Sequence, residues 1–163
     1  MKRIFTILFC LTFAASLHAG IRFNLGNDHR KWTPSVTNTD TATRFFLKGD
    51  SITTWKEMVS LEFADSNVSL RKYVDTWKDG LLKADPKIDF KEEAVGDDSI
   101  ILRYTSASAD STCIRRFLKD KDGVWILAYH VRPKFKTGET FKIWEDIIRS
   151  AISIPSVKPY EIA

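Results

Sequence analysis

Apolar and polar residues alternate along several stretches of the chain, which is the pattern of strands with one buried face. Six strands are predicted from this alternation, at residues 44–47, 55–63, 87–94, 99–106, 112–119 and 124–132. A shorter strand is predicted at residues 21–25, inside an otherwise polar segment. The links between the last four strands of the six are short, so we expect those strands to pair with antiparallel neighbours.

Two other stretches repeat apolar residues at helical spacing. Ser69 can cap the first helix, and Pro86 ends it. The apolar stripe of this helix contains Leu70, Tyr73, Val74, Trp77 and Leu81. The second stripe contains Phe141, Trp144, Ile147, Ile148, Ala151 and Ile152, and Pro155 follows it. The order of elements predicts an α+β fold in which an antiparallel sheet is flanked by two helices.

The first residues have the order of a Sec-type secretory signal peptide. Lys2 and Arg3 precede an apolar run at residues 4–17, and Ala19 stands before Gly20. The run is shorter than the roughly 20 residues that span a bilayer, and no later stretch is apolar enough, so no transmembrane segment is predicted. We therefore expect cleavage near Ala19 and a periplasmic or secreted protein. The expected organisation is a signal peptide at 1–19, a loosely structured arm at 20–42, one domain at 43–154 and a tail at 155–163.

Composition narrows the possible chemistry. The 163 residues have a formal charge of +4, which falls to +2 because Lys2 and Arg3 leave with the signal, and this is too weak to indicate nucleic-acid binding. Cys10 is lost as well, so Cys113 is the only remaining thiol and no internal disulfide can form. The remaining histidines, His29 and His130, lie in no metal-ligand pattern, and glycine-rich phosphate loops are absent. No metal and no cofactor are expected.

The hairpin around Asp122-Gly123 carries the strongest candidate site. A two-residue turn there pairs Lys121 with Val124, Arg115 with His130, and Cys113 with Arg132. The candidate residues, which then share one end of one sheet face, are Cys113, Arg115, His130 and Arg132. Three interpretations are open: an anion site built from two guanidinium groups and an imidazole, a catalytic thiol with His130 as its base, or a buried cysteine beside surface arginines.

Positive charge is concentrated in residues 103–136. The same segment contains only three acids: Asp110, Asp120 and Asp122. The cations of this basic half-sheet are Arg103, Arg115, Arg116, Lys119, Lys121, Arg132, Lys134 and Lys136. Such a surface can contact an anionic partner, including an anionic membrane surface. The alternative is that these side chains solvate exposed strand positions and protect sheet edges. Of the five tryptophans, Trp32 is the one expected to be exposed.

The order of elements and one short motif are similar to those of a known group of proteins. The strand motif W-x-E-M is formed by Trp55, Lys56, Glu57 and Met58, and it precedes a helix ending near Pro86, the hairpin and the closing helix with Trp144. This layout resembles small exported bacterial proteins of the PsbP-like α/β/α sandwich group, over about residues 43–154. The resemblance implies helices on both sheet faces and a non-enzymatic accessory or binding role, as in the photosystem extrinsic subunit and the Ran-release factor of that fold. Relatives in this group often carry two cysteines, whereas this mature chain has one.

The sequence therefore predicts an exported, non-enzymatic binding or accessory protein that contacts an anionic partner through the basic half-sheet. The alternative is an exported enzyme with Cys113 as nucleophile and His130 as base.

Overall fold

The computed structural model describes residues 20–25, 28–35 and 42–154, so the predicted signal peptide and tail lie outside the described residues. The strands of the described part are β1 (Gly20–Arg22), β2 (Trp32–Pro34), β3 (Ala42–Leu47), β4 (Glu57–Ala64), β5 (Lys91–Ala94), β6 (Ser99–Ser106), β7 (Ser111–Lys119), β8 (Val124–Val131) and β9 (Ile152–Ile154). The helices are α1 (Leu70–Ala84) and α2 (Gly138–Ser150), and a 3-10 turn, Pro133–Phe135, precedes α2.

Seven of the strands form one antiparallel sheet. Their order is β2-β3-β4-β8-β7-β6-β5, and β1 and β9 form a separate antiparallel pair. The predicted α+β fold with two helices and an antiparallel sheet is confirmed. β5 starts four residues later than predicted because Asp85 to Ile88 form a turn after α1, in which the Ile88 amide donates to the Asp85 carbonyl at 3.2 Å.

Both helices begin and end at residues that satisfy free backbone groups. The Ser69 hydroxyl accepts a hydrogen bond from the Lys72 amide, as predicted, and Thr137 accepts one from the Thr140 amide. At the C-terminal end of α2, the buried Arg116 guanidinium donates to the carbonyl of Ile148 at 3.0 Å. A cation is favourable there because helix carbonyls point toward it.

The core consists of two clusters that take alternate residues of the same strands. α2 contributes Trp144, Ile147 and Ile148 to the first cluster, in which Tyr129 of β8 is fully buried. α1 contributes Leu70 and Val74 to the second cluster, which contains Cys113, Phe117 and Ala128. Since successive residues of a strand point to opposite faces, each helix packs against its own set of strand residues.

The edge strand β5 is tied to both helices by two adjacent carboxylates. Glu92 pairs with Arg71 of α1 and, at 3.1 Å, with Lys78 of the same helix. Glu93 pairs with Arg149 of α2 at 2.6 Å. Hydrogen bonds from Arg149 hold the pKa of Glu93 at about 2, below its ordinary value. These ion pairs cover an edge strand that is short and charged, which also disfavours pairing with a second chain.

Residues 28–35 of the predicted arm are held by a network of polar groups, several of them buried. Asp28 is buried and accepts hydrogen bonds from Trp144 Nε1 at 2.9 Å and from Arg30 Nε at 2.9 Å. Arg30 also donates to Glu57 Oε1 at 2.6 Å, and Glu57 Oε2 accepts from the buried Tyr129 hydroxyl. Burial alone would raise the pKa of Asp28, but the hydrogen bonds from Arg30 lower it below its ordinary value. The network joins residues 28–35 to β4, β8 and α2.

Trp32 belongs to the same network and is half-buried, which corrects its predicted exposure. Its ring meets that of Trp144 edge to face, with centroids 5.3 Å apart, and its Nε1 donates to Asp28 at 3.2 Å. The predicted strand at residues 21–25 is present as the shorter β1, which pairs with β9 after α2.

Candidate functional site

The hairpin between β7 and β8 has a different register from the one predicted. Lys119, not Lys121, pairs with Val124, so that Cys113 lies opposite His130 and Arg115 opposite Ala128. The register differs by two residues because the loop is longer: Asp120 Oδ1 accepts hydrogen bonds from the amides of Asp122, at 2.9 Å, and Gly123, at 3.0 Å. A shift of two residues leaves every side chain on its predicted face.

Gly123 allows this loop to pack closely on β4. A Cβ atom at Gly123 would collide with the carbonyl oxygen of Ala64 and lie 2.8 Å from the Phe63 ring. The glycine is therefore needed for close approach of two backbones, and it fixes where β8 begins.

Cys113 and His130 are neighbours across the hairpin, but the thiol is enclosed. The Cys113 Sγ lies 3.9 Å from His130 Nε2, and the cysteine has no exposed surface. Burial raises the pKa of Cys113, and the positive charge of Arg115 only partly opposes this effect. The thiol is therefore protonated at neutral pH and out of reach of a substrate.

Burial also keeps the imidazole of His130 neutral. Burial lowers the pKa of His130 from 6.5 to about 3, and the positive charges of Arg115 and Arg44 act in the same direction. A neutral imidazole beside a protonated thiol is not the thiolate–imidazolium pair that activates a nucleophilic cysteine. The arrangement gives no support to the catalytic interpretation.

Arg115 is buried beneath α1. Its guanidinium lies 4.6 Å from the centroid of the Trp77 ring, and its Nη1 lies 3.7 Å from Oε2 of Glu62. Its Nε has no hydrogen-bond partner among the described residues. Trp77 and Glu62 thus occupy two sides of the cation, which leaves it unsuited to contact a large anionic partner.

Arg132 lies apart from the other three residues, at the end of β8. Its guanidinium is 5.0 Å from the centroid of the Trp55 ring and 4.0 Å from the Asp110 carboxylate. It is half-buried and faces the loop before β4. The four predicted site residues therefore share a sheet face without forming one anion site. In the described ranges, no group of three histidine, cysteine or acidic residues could hold a metal ion.

Half of the cations of the predicted basic half-sheet are engaged in contacts within the fold. Arg103 pairs with Glu145, Arg116 caps α2, and Lys119 donates to the Ser66 carbonyl. Together with Arg115 they account for half of the eight cations. The half-sheet is thus not a continuous positive surface.

Positive charge is instead concentrated at one end of the sheet. β3 ends and β4 begins there, β8 ends beside them, and the Lys48 amide donates to the Lys31 carbonyl at 3.0 Å. Besides Arg30, which pairs with the buried Asp28 and Glu57, this basic end carries the acids Asp50, Asp110 and Glu139, the buried Asp85, and six further cations: Lys31, Lys48, Lys56, Arg132, Lys134 and Lys136. Of the six cations, those with ion-pair partners among the described residues are Lys56, with Asp50 at 3.4 Å, and Arg132, with Asp110.

The opposite end is acidic. The loops after β4, after β5 and after β7 meet there, and the Lys119 amide donates to the Asp98 carbonyl at 2.9 Å. This acidic end carries Asp65, Asp97, Asp98, Asp120 and Asp122, with Lys119 and Lys121 in the same loops and Arg71 and Lys72 in the first turn of α1. The molecule therefore has a charge separation along the strand direction. In the sequence, most charged residues of the two ends lie just before or just after predicted strands. Grouping these residues by the strand end beside them would have identified the two charged ends.

The pH dependence of stability should report the environment of His130. An unfolded chain binds a proton on this histidine near pH 6.5, whereas the folded protein binds it only near pH 3. The unfolded state therefore holds more protons between these values, and stability is lost as pH falls from 6.5 toward 3. From pH 7 to pH 5 we expect a loss of about 2 kcal/mol, since a full proton difference contributes about 1.4 kcal/mol per pH unit.

Urea unfolding at both pH values measures this loss. His130→Gln should remove most of it, while His29→Gln, at an exposed histidine, should leave it unchanged. An equal pH dependence in His130→Gln and the parent protein would contradict the assignment.

Comparison with known proteins gives no relative: no protein-family model matches the chain, and no curated protein is significantly similar to it in sequence. No helix in the described part of the chain is long and apolar enough to cross a bilayer.

Proposed function

We propose that this is an exported, non-enzymatic binding or accessory protein that contacts an anionic partner through its basic end. The observation that carries the proposal is the separation of exposed charges. Four exposed lysines without ion-pair partners among the described residues lie at one end of the sheet, and four exposed aspartates lie at the other: Lys31, Lys48, Lys134 and Lys136 against Asp65, Asp97, Asp98 and Asp122. The charge of the processed chain is small, so a partner would respond to this separation more than to net charge. Opposite charges at the two ends orient a molecule as it approaches a charged partner.

The partner contact is placed on loops, which suits recognition. The pairing of β4 with β3 and β8 fixes the positions of the loop before β4 and the loop after β8, while most of their side chains stay exposed. Loops held on a rigid scaffold are common positions for binding residues. The sheet face chosen from the sequence is occupied by α1 and by Arg115, Trp77 and Glu62.

We also propose that the fold is the α/β/α sandwich of the PsbP-like group, in an exported protein. The contacts of β5 support the layer order, because adjacent carboxylates on one strand reach α1 through Glu92 and α2 through Glu93. The separate clusters of the two helices support it as well. A binding or accessory role agrees with this group, although fold similarity alone is weak evidence for function.

The enzyme with Cys113 as nucleophile and His130 as base is the second candidate, and the 3.9 Å distance between Cys113 Sγ and His130 Nε2 is the observation that favours it. The enclosed, protonated thiol and the neutral imidazole argue against it. Labelling of Cys113, described in the Discussion, tests this candidate.

The proposed function predicts that three exposed lysines control binding to a polyanion. Lys48→Ala/Lys134→Ala/Lys136→Ala should weaken retention on dextran sulfate by about threefold to a hundredfold, since each exposed ion pair contributes about 0.2–1 kcal/mol. The effect should shrink as salt is added, because salt screens exposed charges. Elution at a series of salt concentrations measures it.

The matched control removes the same charge elsewhere. Lys72→Ala/Lys91→Ala/Lys121→Ala changes three exposed lysines on α1, on the edge strand β5 and at the acidic end. Its retention should stay close to that of the parent protein. Equal losses in the two triple variants would show that only net charge matters, which would overturn the proposed function.

A further inference from the structure

We propose that the anionic partner is the surface of a lipid bilayer, and that Ile52 and Phe135 enter its interface while the lysines of the basic end contact headgroup phosphates. This inference rests on the proposed function and names its partner. It adds an apolar contribution that binding to a dissolved polyanion does not require.

Two apolar side chains are exposed at the basic end, one on each loop. Ile52, in the loop between β3 and β4, is 49% exposed, and Phe135, in the 3-10 turn after β8, is 37% exposed. Both loops turn back tightly: the Thr54 amide donates to the Ser51 carbonyl at 3.2 Å, and the Phe135 amide donates to the Arg132 carbonyl at 2.9 Å. The turns hold both side chains away from the two main clusters of the core.

The two loops are joined at their bases. The Arg132 amide donates to the Lys56 carbonyl at 3.0 Å, and the Arg132 guanidinium lies over the Trp55 ring. Ile52 and Phe135 are each three residues from this junction. The junction therefore places both apolar side chains at the same end of the molecule.

Lysines stand directly beside the apolar side chains. Lys134 Nζ lies 5.0 Å from the centroid of the Phe135 ring, and Lys136 Nζ lies 4.4 Å from that of Phe141. Lysine can lay its aliphatic stem along an apolar region and extend its ammonium group to water or phosphate. Apolar residues flanked by lysines are the composition that binds at the interface of anionic membranes.

Charge distinguishes this end from the rest of the surface. Val68 and Val95 are also 37% exposed, but they lie at the acidic end, where aspartates repel an anionic bilayer. Ile152 is 53% exposed and lies in β9, opposite Arg22, away from both loops of the basic end. A bilayer would thus dock the basic end and direct the acidic end to solvent. A polysaccharide carries negative charge but has no apolar phase. It would therefore bind the lysines without contacting Ile52 and Phe135.

The test compares two probes and three variants of the protein recovered from the periplasmic fraction of the expressing cell. The probes are vesicles of phosphatidylcholine mixed with phosphatidylglycerol, and dextran sulfate resin. The variants are Ile52→Ser/Phe135→Ser, the matched control Val68→Ser/Val95→Ser, and the lysine triple variant. All positions are exposed, so an unchanged urea midpoint serves as the check of folding.

The first pair of serines should weaken vesicle binding by roughly tenfold, in line with the transfer of two partly exposed apolar side chains, and should leave retention on dextran sulfate unchanged. The control pair should affect neither probe. The lysine variant should weaken both.

Three results would overturn the inference. Vesicle binding that is lost with the lysines but unaffected by Ile52→Ser/Phe135→Ser would show contact by charge alone. Retention on dextran sulfate without vesicle binding would show a dissolved or polysaccharide partner. In both cases the proposed function would stand, whereas a lysine variant that binds both probes like the parent would remove the proposed function itself.

Discussion

Glu57→Ala should lower the free energy of unfolding by about 2–4 kcal/mol, because it removes the acceptor of a buried hydroxyl and one partner of a partly buried ion pair. Glu57 is 8% exposed and accepts hydrogen bonds from Arg30 and from the Tyr129 hydroxyl. Its loss leaves a buried hydroxyl without an acceptor and leaves Arg30 with Asp28 alone. Urea unfolding at pH 7 measures the change.

The control for this prediction is Glu139→Ala, at an exposed carboxylate in the first turn of α2, where a loss below about 1 kcal/mol is expected. The closer variant Glu57→Gln should lose less stability than Glu57→Ala, because its amide oxygen can still accept from the Tyr129 hydroxyl. A loss for Glu57→Ala as small as that for Glu139→Ala would mean that the network contributes little.

This network gives the W-x-E-M motif a structural meaning. Trp55 lies under Arg132 at the base of the basic end, and Glu57 joins β4 to the N-terminal segment and to Tyr129. Met58 lies opposite His130 in the sheet. The motif thus positions the loop between β3 and β4 relative to β8, which is the geometry that the proposed membrane contact needs.

The main elements were predictable where the sequence carries a local signal. β6 has the predicted bounds, residues 99–106, because a short apolar segment lies there between two turn segments. α1 begins after Ser69 as predicted because the serine caps it. In both cases the information lies within a few residues, so a pattern along the chain is enough.

Contacts distant in sequence were not predictable in the same way. β2 and β9 are three residues long and have no alternation of their own; each exists because it pairs with another segment. The hairpin register depends on Asp120, whose side chain closes a longer loop than the Asp122-Gly123 pair alone suggests. The sheet face of the candidate residues was still predicted, since a shift of two residues keeps the side-chain direction.

The predicted basic half-sheet is not a continuous positive surface, and the cause is again contacts between residues distant in sequence. Counting charges along residues 103–136 treats Arg115 and Arg116 as exposed, whereas both are buried and engaged with other elements. Lys31 and Lys48 were outside the counted segment, although the pairing of β2 with β3 brings them to the same end as Lys134. Three-dimensional pairing of strands, not local sequence, decides which charges meet.

Cys113 should react with a small alkylating reagent at least roughly a thousandfold more slowly in the native protein than in the unfolded chain at pH 7. The thiol has no exposed surface, so labelling requires an opening of the fold, and openings of a core strand approach the full stability of several kcal/mol. Burial also raises the pKa of Cys113, which reduces the fraction of reactive thiolate. Mass spectrometry of the peptide that contains Cys113 follows the reaction without interference from Cys10.

A matched positive control is Ala109→Cys, which places a second thiol at an exposed position in the loop between β6 and β7. The added thiol should react at the rate of a free cysteine while Cys113 remains protected in the same molecule. Fast native labelling of Cys113 that persists below pH 8 would instead demonstrate an accessible thiolate. That result would favour the enzyme with His130 as its base over the binding protein, because core burial and a raised pKa cannot produce it.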